Sequence, residues 1–396
     1  MEILITANSP GEIAGWTRPV VKCIKSRSPE TKITILLLPC SFSSGREMEV
    51  AQSLQGIDRV FSVKKTLSLI FKTNRDIFEK DSVLLHLGGD LFFAAILSRR
   101  LKVPVWAYEW GQKKWDRTFR GYFARDEENK KTLVKRGIPS EKVHVVGDPI
   151  VDSVYFRSDE AGEIEKNGKM LIGLMPGSRI REALALIPLF CGVAEIIGEK
   201  FPGTLFYLPI SPFIDRNKLD SSFPLSPEKD FPGAKVRKEG DKLITENGVV
   251  VNITDNSMKV IKHSDFIITI PGTTTAEAGA LGIPHISILP LNRPELIPYV
   301  GIIGLLEYVP IVGKPIKAKI MKALSKKKPL LSQPNLRAKR EVIPEMMEVV
   351  NPENIFERIK PYLEDPAKLN EIRNDLLSLY SPYRGAADKM AEMLIT

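Results

Sequence analysis

Short apolar runs alternate with longer amphipathic ones along this chain. Residues 3–7, 33–38, 83–87, 103–108 and 143–146 predict strands. Between them, 16–26, 47–55, 67–78 and 91–101 carry the apolar period of helices. Such alternation predicts βαβ units around a parallel sheet. Residues 158–168 are charged, glycine-punctuated and without apolar period, which marks a linker. The alternation then restarts with a strand at 171–175, a helix at 181–200 and a strand at 205–208. Further strands are expected at 249–252, 266–270 and 285–288, although 210–255 is rich in Pro, Gly and charge and supports no firm assignment. From 352 onward the pattern is helical, broken by Pro361, Pro366 and Pro382. The expectation is an α/β protein with domains at 1–160 and 168–360. Helices at 361–396 would pack back on the first domain. Ligands of parallel sheets bind outside the carboxyl ends of the strands, so both domains should present sites to a cleft between them.

The junction Met175-Pro176-Gly177-Ser178-Arg179 carries the strongest chemical signal. A buried strand, a tight turn and a helix start place free backbone N–H groups and a positive helix end together, where anions bind. Arg179 adds a planar charged fork suited to a diphosphate or carboxylate. Ile270-Pro271-Gly272-Thr273-Thr274-Thr275-Ala276-Glu277 repeats the arrangement. Its Glu277 is either a dipole-stabilising acid or an acceptor for two ribose hydroxyls. Two anion-binding turns in one half of the chain suggest a nucleoside diphosphate site.

The first half offers weaker candidates. Asn8-Ser9-Pro10-Gly11-Glu12 follows the first strand and is either a plain turn or a ligand loop. It is not GxGxxG, so a dinucleotide fingerprint is not supported. His86-Leu87-Gly88-Gly89-Asp90 ends another strand. Asp90 is either a general base or the cap of the next helix; His86 reads as a satisfied buried histidine. Trp106, Trp110 and Trp115 precede Arg117 and Arg120, a pattern fit for a sugar ring or for a packed aromatic corner.

Composition changes this picture little. The chain has 396 residues and a formal net charge of +9. That charge suits phosphorylated substrates, anionic lipid or a solvated surface, and no nucleic-acid module accompanies it. Cys23, Cys40 and Cys191 form neither a zinc spacing nor CxxC, and a reducing cytoplasmic compartment fits them. No Asp-x-Asp metal motif occurs. An apolar stretch at 296–312 precedes Lys314, Lys317, Lys319 and Lys322. It is either a buried helix or a contact with an anionic membrane surface.

Together these motifs resemble the lipid-A-disaccharide synthase family of GT-B glycosyltransferases. Pro176-Gly177-Ser178-Arg179 with Glu182 is similar to that family's LPGSR-x-x-E, and Gly272 to Glu277 resembles SGTATLE. Val146-Gly147-Asp148-Pro149 with Asp152 looks like VGHPLVD. Pro334-Asn335-Leu336 with Arg340-Glu341-Val342-Ile343-Pro344-Glu345 looks like the PN-L-x-x-x-RE-x-V-PE tail, whose final Gln is Glu348 here. Asp90 falls where the family carries its (S/A)PDF aspartate. The family's AGExSGD is shortened to end at Glu12, and Asp148 replaces a His, which marks a divergent relative.

The resemblance implies two Rossmann-like domains and a UDP-sugar donor that is a substrate rather than a cofactor. It implies a lipid acceptor, an optional anionic membrane surface at the cytoplasmic face, and possible homodimers. Gly177, Ser178, Arg179, Gly272, Thr273, Thr274, Glu277, Asn335 and Glu341 would bind the donor. Ser9, Gly11, Glu12, Trp110, Arg117 and Arg120 would meet the acceptor, and Asp90 would be the base. UDP-sugar 2-epimerases and hydrolases share the expected fold. A non-catalytic nucleotide-sugar sensor is a third reading.

Overall fold

The computed structural model describes residues 1–8, 12–39, 47–72, 75–108, 118–212, 214–293 and 329–395. The chain forms two compact units, Met1–Phe156 with Ser381–Thr396, and Arg157–Tyr380.

The first unit holds strands β1 (Glu2–Ala7), β2 (Lys32–Leu37), β3 (Arg59–Phe61), β4 (Ser82–His86), β5 (Val105–Tyr108), β6 (Gly121–Ala124) and β7 (Val143–Val145). They make one sheet ordered β3-β2-β1-β4-β5-β6-β7, parallel throughout. Its helices are α1 (Arg18–Arg27), α2 (Glu47–Ser53), α3 (Val63–Phe71), α4 (Leu91–Leu101), α5 (Glu127–Lys135) and most of α6 (Pro149–Asp159), whose last residues, from Arg157, belong to the second unit. Side chains alternate across the sheet. Ile3, Ile5, Ile33 and Ile35 enter one core, while Leu4, Leu36 and Leu84 enter the other. Both faces are covered, which is why the central strands read as mainly apolar runs without strict alternation.

The second unit holds β8 (Leu171–Met175), β9 (Leu205–Pro209), β10 (Val236–Glu239), β11 (Lys242–Thr245), β12 (Val250–Thr254), β13 (Phe266–Thr269), β14 (His285–Pro290) and β15 (Glu345–Glu348). The order is β10-β11-β12-β9-β8-β13-β14-β15. An antiparallel β10-β11-β12 edge joins an otherwise parallel sheet. Its helices are α7 (Ile180–Lys200), α8 (Arg216–Asp220), α9 (Ser257–His263), α10 (Thr273–Ala280), α11 (Gln333–Ala338), α12 (Pro352–Leu363) and α13 (Pro366–Tyr380).

The last helix, α14 (Ala386–Ile395), belongs to the first unit, whereas α12 and α13 belong to the second. α14 buries Ala386, Ala387, Met390, Ala391 and Leu394. Asp152 accepts hydrogen bonds from the Gly385 and Ala387 amides at 2.7 and 2.8 Å, and Arg27 grips Asp388 with two bonds of 2.7 Å. The segment around Asp148 and Asp152 thus acts as a clamp on this helix.

Strands β3, β6 and β15 and helices α5 and α6 lie where the sequence pattern predicts none. β3 has three residues, β6 begins with Gly, and β15 is Glu-Met-Met-Glu. Such strands are too short to show a period, and their neighbours in the sheet impose the extended state. No described helix is long and apolar enough to cross a membrane. The apolar-basic stretch at 296–328 lies outside the described residues, as does Cys40. Cys23 and Cys191 are buried thiols, and burial pushes Cys23 up to about 11 and Cys191 upward as well. Neither is placed to act as a nucleophile at neutral pH.

Candidate functional site

A doubly wound sheet has one point where the chain leaves adjacent strands in opposite directions. The loops at the carboxyl ends part there and leave a crevice. In the second unit the chain leaves β8 for β9 on one side and returns to β13 on the other. Met175 pairs with Thr269, so the loops after β8 and β13 start level. These loops hold Gly177, Ser178 and Arg179 on one side and Gly272, Thr273 and Thr274 on the other.

Gly177 adopts φ +101°, a left-handed conformation that favours glycine. A Cβ there would lie 2.8 Å from Glu182 Oε2 and 2.9 Å from Ile270 Cδ1, so the two loops are in contact. Ser178 and Arg179 are exposed. Arg179 Nη1 donates to Glu182 Oε1 at 2.7 Å, and Glu182 is buried. The guanidinium is therefore oriented from below by a carboxylate one turn into α7. Arg179 is thus half of an ion pair, and its side chain stays 52 % exposed.

Both helices that start here lack a side-chain cap. Asp90, Asp126, Asn256 and Asn351 cap their own helices, but Arg179 and Gly272 leave the first amides of α7 and α10 without one. A Cβ on Gly272 would meet nothing within 4 Å. Two helix ends with open amides at one crevice suit an anion. Thr275 does not take part. Its hydroxyl donates to Gly272 O at 2.7 Å and accepts the Gln333 amide at 3.1 Å.

Glu277 lies one turn into α10, on the face below Thr273 and Thr274. Its Oε1 accepts a hydrogen bond from Arg157 Nη1 on α6, an ion pair with both side chains mostly buried. Arg157 is 120 residues away in the chain, and no sequence signal pointed to it.

Two of the expected donor-side residues are engaged in contacts of their own. Asn335 is fully buried, and its Oδ1 accepts the Val342 and Ile343 amides at 2.7 and 3.0 Å while Nδ2 donates to Ile343 O. Its amide is spent on shaping its own loop. Glu341 precedes β15, which pairs in parallel with β14, so it sits at the edge where the strands begin, opposite the crevice. There it pairs with Arg358 at 3.4 Å. The residue of that tail motif that does reach the carboxyl edge is Glu348, the last of β15.

The first unit repeats the geometry. Its chain leaves β1 for β2 and returns to β4 on the other side, with Thr6 paired to His86. The loops after β1 and β4 are in contact. Glu12 Oε2 accepts the Asn8 amide at 2.9 Å, and its carboxylate packs where a Cβ on Gly88 would lie, 1.9 Å away. Only glycine leaves room for it. Asp90 is exposed at the crevice and caps α4, accepting the Phe92 amide at 2.9 Å with Oδ1. Oδ2 makes no hydrogen bond among the described residues. His86 is buried, with Nδ1 2.8 Å from Thr6 Oγ1. Burial pushes it down to about 4, against the pull of the Gly89 backbone and the Asp90 charge, so it is neutral at pH 7.

Arg120 stands apart from the other described acceptor-side candidates. It immediately precedes β6, which pairs in parallel with β5, and so stands at the amino edge, away from Glu12 and Asp90. Trp106 stacks on Phe123 at 5.0 Å and fills the space above Gly121, so it belongs to the core. Ser9, Gly11, Trp110 and Arg117 lie outside the described residues. Among the described residues no cluster of His, Cys, Asp or Glu has the geometry of a metal site.

No family model matches the chain. Among curated proteins it is similar to the lipid-A-disaccharide synthase of Persephonella marina, 29% identical over 262 residues, 64% of this chain and 59% of that protein. The lipid-A-disaccharide synthase of an Azoarcus species is 22% identical over 343 residues, 84% of this chain and 77% of that protein. The chain thus spans little more than half the length of the first of these relatives. Among solved structures it is similar to UDP-GlcNAc 2-epimerase from Neisseria meningitidis bound to UDP-GlcNAc, with TM-score 0.58 and 16% identity over 100% of this chain and 99% of that one. The S. aureus MnaA–UDP structure follows at TM-score 0.57 and 14% identity, covering 98% and 94%. The α/β architecture with two mostly parallel sheets is the GT-B fold of these epimerases.

Proposed function

We propose that the chain is a glycosyltransferase that moves a sugar of the N-acetylglucosamine type from a UDP-sugar to a lipid or lipid-phosphate hydroxyl. The observation that carries this reading is the second unit's crevice, where two uncapped helix ends and the exposed Arg179 converge. The motif likeness to lipid-A-disaccharide synthases, echoed by the relatives above, supports the reaction type.

In this reading Ser178, Thr273 and Thr274 hold the diphosphate together with the open amides, and Glu277 accepts ribose hydroxyls. Asp90 takes the proton of the acceptor hydroxyl with the oxygen not used in capping. The acceptor oxygen then bonds to the anomeric carbon as the bond to the diphosphate breaks. UDP leaves with its added negative charge balanced by Arg179 and the helix ends. Glu12, held by the Asn8 amide, lines the acceptor side. The reading carries with it a cytoplasmic, peripheral place at a membrane and a role in lipid A-like glycolipid synthesis.

A UDP-sugar 2-epimerase is the second reading, favoured by the full-length fold likeness to proteins of that name, one of them solved with UDP-GlcNAc bound. Incubation with UDP-GlcNAc alone separates the two, because an epimerase alters it without acceptor. Within the transferase reading, Asp90→Asn leaves UDP binding within about twofold and lowers transfer by about 10²–10⁴-fold. Full turnover by that variant removes Asp90 from the mechanism.

A further inference from the structure

We propose that Arg157 is a positioning residue of the nucleotide subsite. It holds one oxygen of Glu277 and leaves the other to a ribose hydroxyl. The inference rests on the UDP-sugar reading and deepens it.

Arg157 bridges two helices that start at the carboxyl edge of the same sheet, α10 at the crevice and α9 after β12. Nη1 donates to Glu277 Oε1 on α10, and Nη2 reaches Ser257 Oγ, the first residue of α9, at 3.4 Å. The guanidinium plane is thereby set by both helices. The two side chains are 17 % and 15 % exposed, so water competes weakly for the pair. Oε2 of Glu277 makes no hydrogen bond among the described residues. A carboxylate has about four acceptor positions, and this pairing uses one of them. A ribose hydroxyl needs an acceptor at a fixed place, and an unrestrained Glu would lose three rotatable bonds of freedom to supply it. Arg157 removes that freedom before the ligand arrives. Lysine would keep the charge but not the planar two-armed grip.

The test is calorimetric titration of the full chain with UDP and with 2′,3′-dideoxy-UDP. The proteins compared are wild type, Arg157→Gln, Arg157→Lys, Glu277→Gln and the double variant R157Q/E277Q. Wild type is expected to prefer UDP by about tenfold or more, the scale of one hydrogen bond to a charged group. R157Q and E277Q should each cut that preference below about threefold, and the double variant no further. R157Q should bind dideoxy-UDP within about threefold of wild type, and R157K should fall between. A wild-type preference retained in R157Q overturns the inference. So does an equal loss for both nucleotides, which would make Arg157 a diphosphate contact or a helix staple. Equal wild-type affinity for the two ligands also overturns it, because Glu277 then meets no diol. Wild-type protein that binds neither nucleotide sinks the UDP reading itself, a separate and visible result. Should R157Q fail to fold, R157K carries the same comparison, and an unchanged preference there is likewise fatal.

Discussion

Replacing Asp152 with Ala removes the acceptor for two amides at the start of α14, those of Gly385 and Ala387. Loss of an N-terminal cap costs about 1–2 kcal/mol. An amide orphaned in a buried place adds about 1–3 kcal/mol. Burial acts the other way. It raises the Asp152 carboxyl above its ordinary range despite the amides, so part of the gain is already spent on desolvation. The net expectation is about 2–3 kcal/mol, with roughly half of that for Asp152→Asn, which keeps one acceptor. For a unit of this size the melting temperature should fall by about 5–10 °C. Tryptophan fluorescence is the right probe, because Trp16, Trp106, Trp110 and Trp115 all lie within Met1–Phe156. It therefore reports the first unit alone. Urea titration should move the midpoint while the slope stays constant. A shift worth less than about 0.5 kcal/mol would show that α14 is held by its apolar face and not by this clamp.

Gly177→Ala forces a left-handed φ on a residue with a Cβ, at a cost of about 1–2 kcal/mol, and pushes on Glu182, the partner of Arg179. UDP affinity should drop at least tenfold by calorimetry, and unchanged affinity would detach this loop from the anion site. Stability should also fall with acid in both units. His86 and His285 are each buried and pushed down to about 4, so between about pH 6.5 and 4 the unfolded chain binds protons that the folded chain refuses. Their stabilising effect is complete above pH 6.5 and shrinks as pH falls, by about 2 kcal/mol per histidine at pH 5. Equal urea midpoints at pH 7 and pH 5 would refute this.

Local pattern was enough to read the strands that lead into each crevice, and the turns that follow them. β1, β4, β8 and β13 are short, mainly apolar runs, and Gly177, Gly272 and Gly88 stand where chain must turn or a neighbour must approach. These signals span a few residues and survive in one dimension. Strand order does not. Only the folded sheet makes the loops after β8 and β13 neighbours, and those after β1 and β4. The same parallel pairing sends Glu341 and Arg120 to the opposite edges, although their motifs placed them with the ligands. Asn335 turned inward because its loop needed both ends of its amide. Arg157 found Glu277 across 120 residues, a pairing without any local period to announce it. Residue spacing along the chain thus determined which turns could bind an anion. The order in which strands pack, a long-range outcome of burying both sheet faces, decided which of those turns face the same crevice.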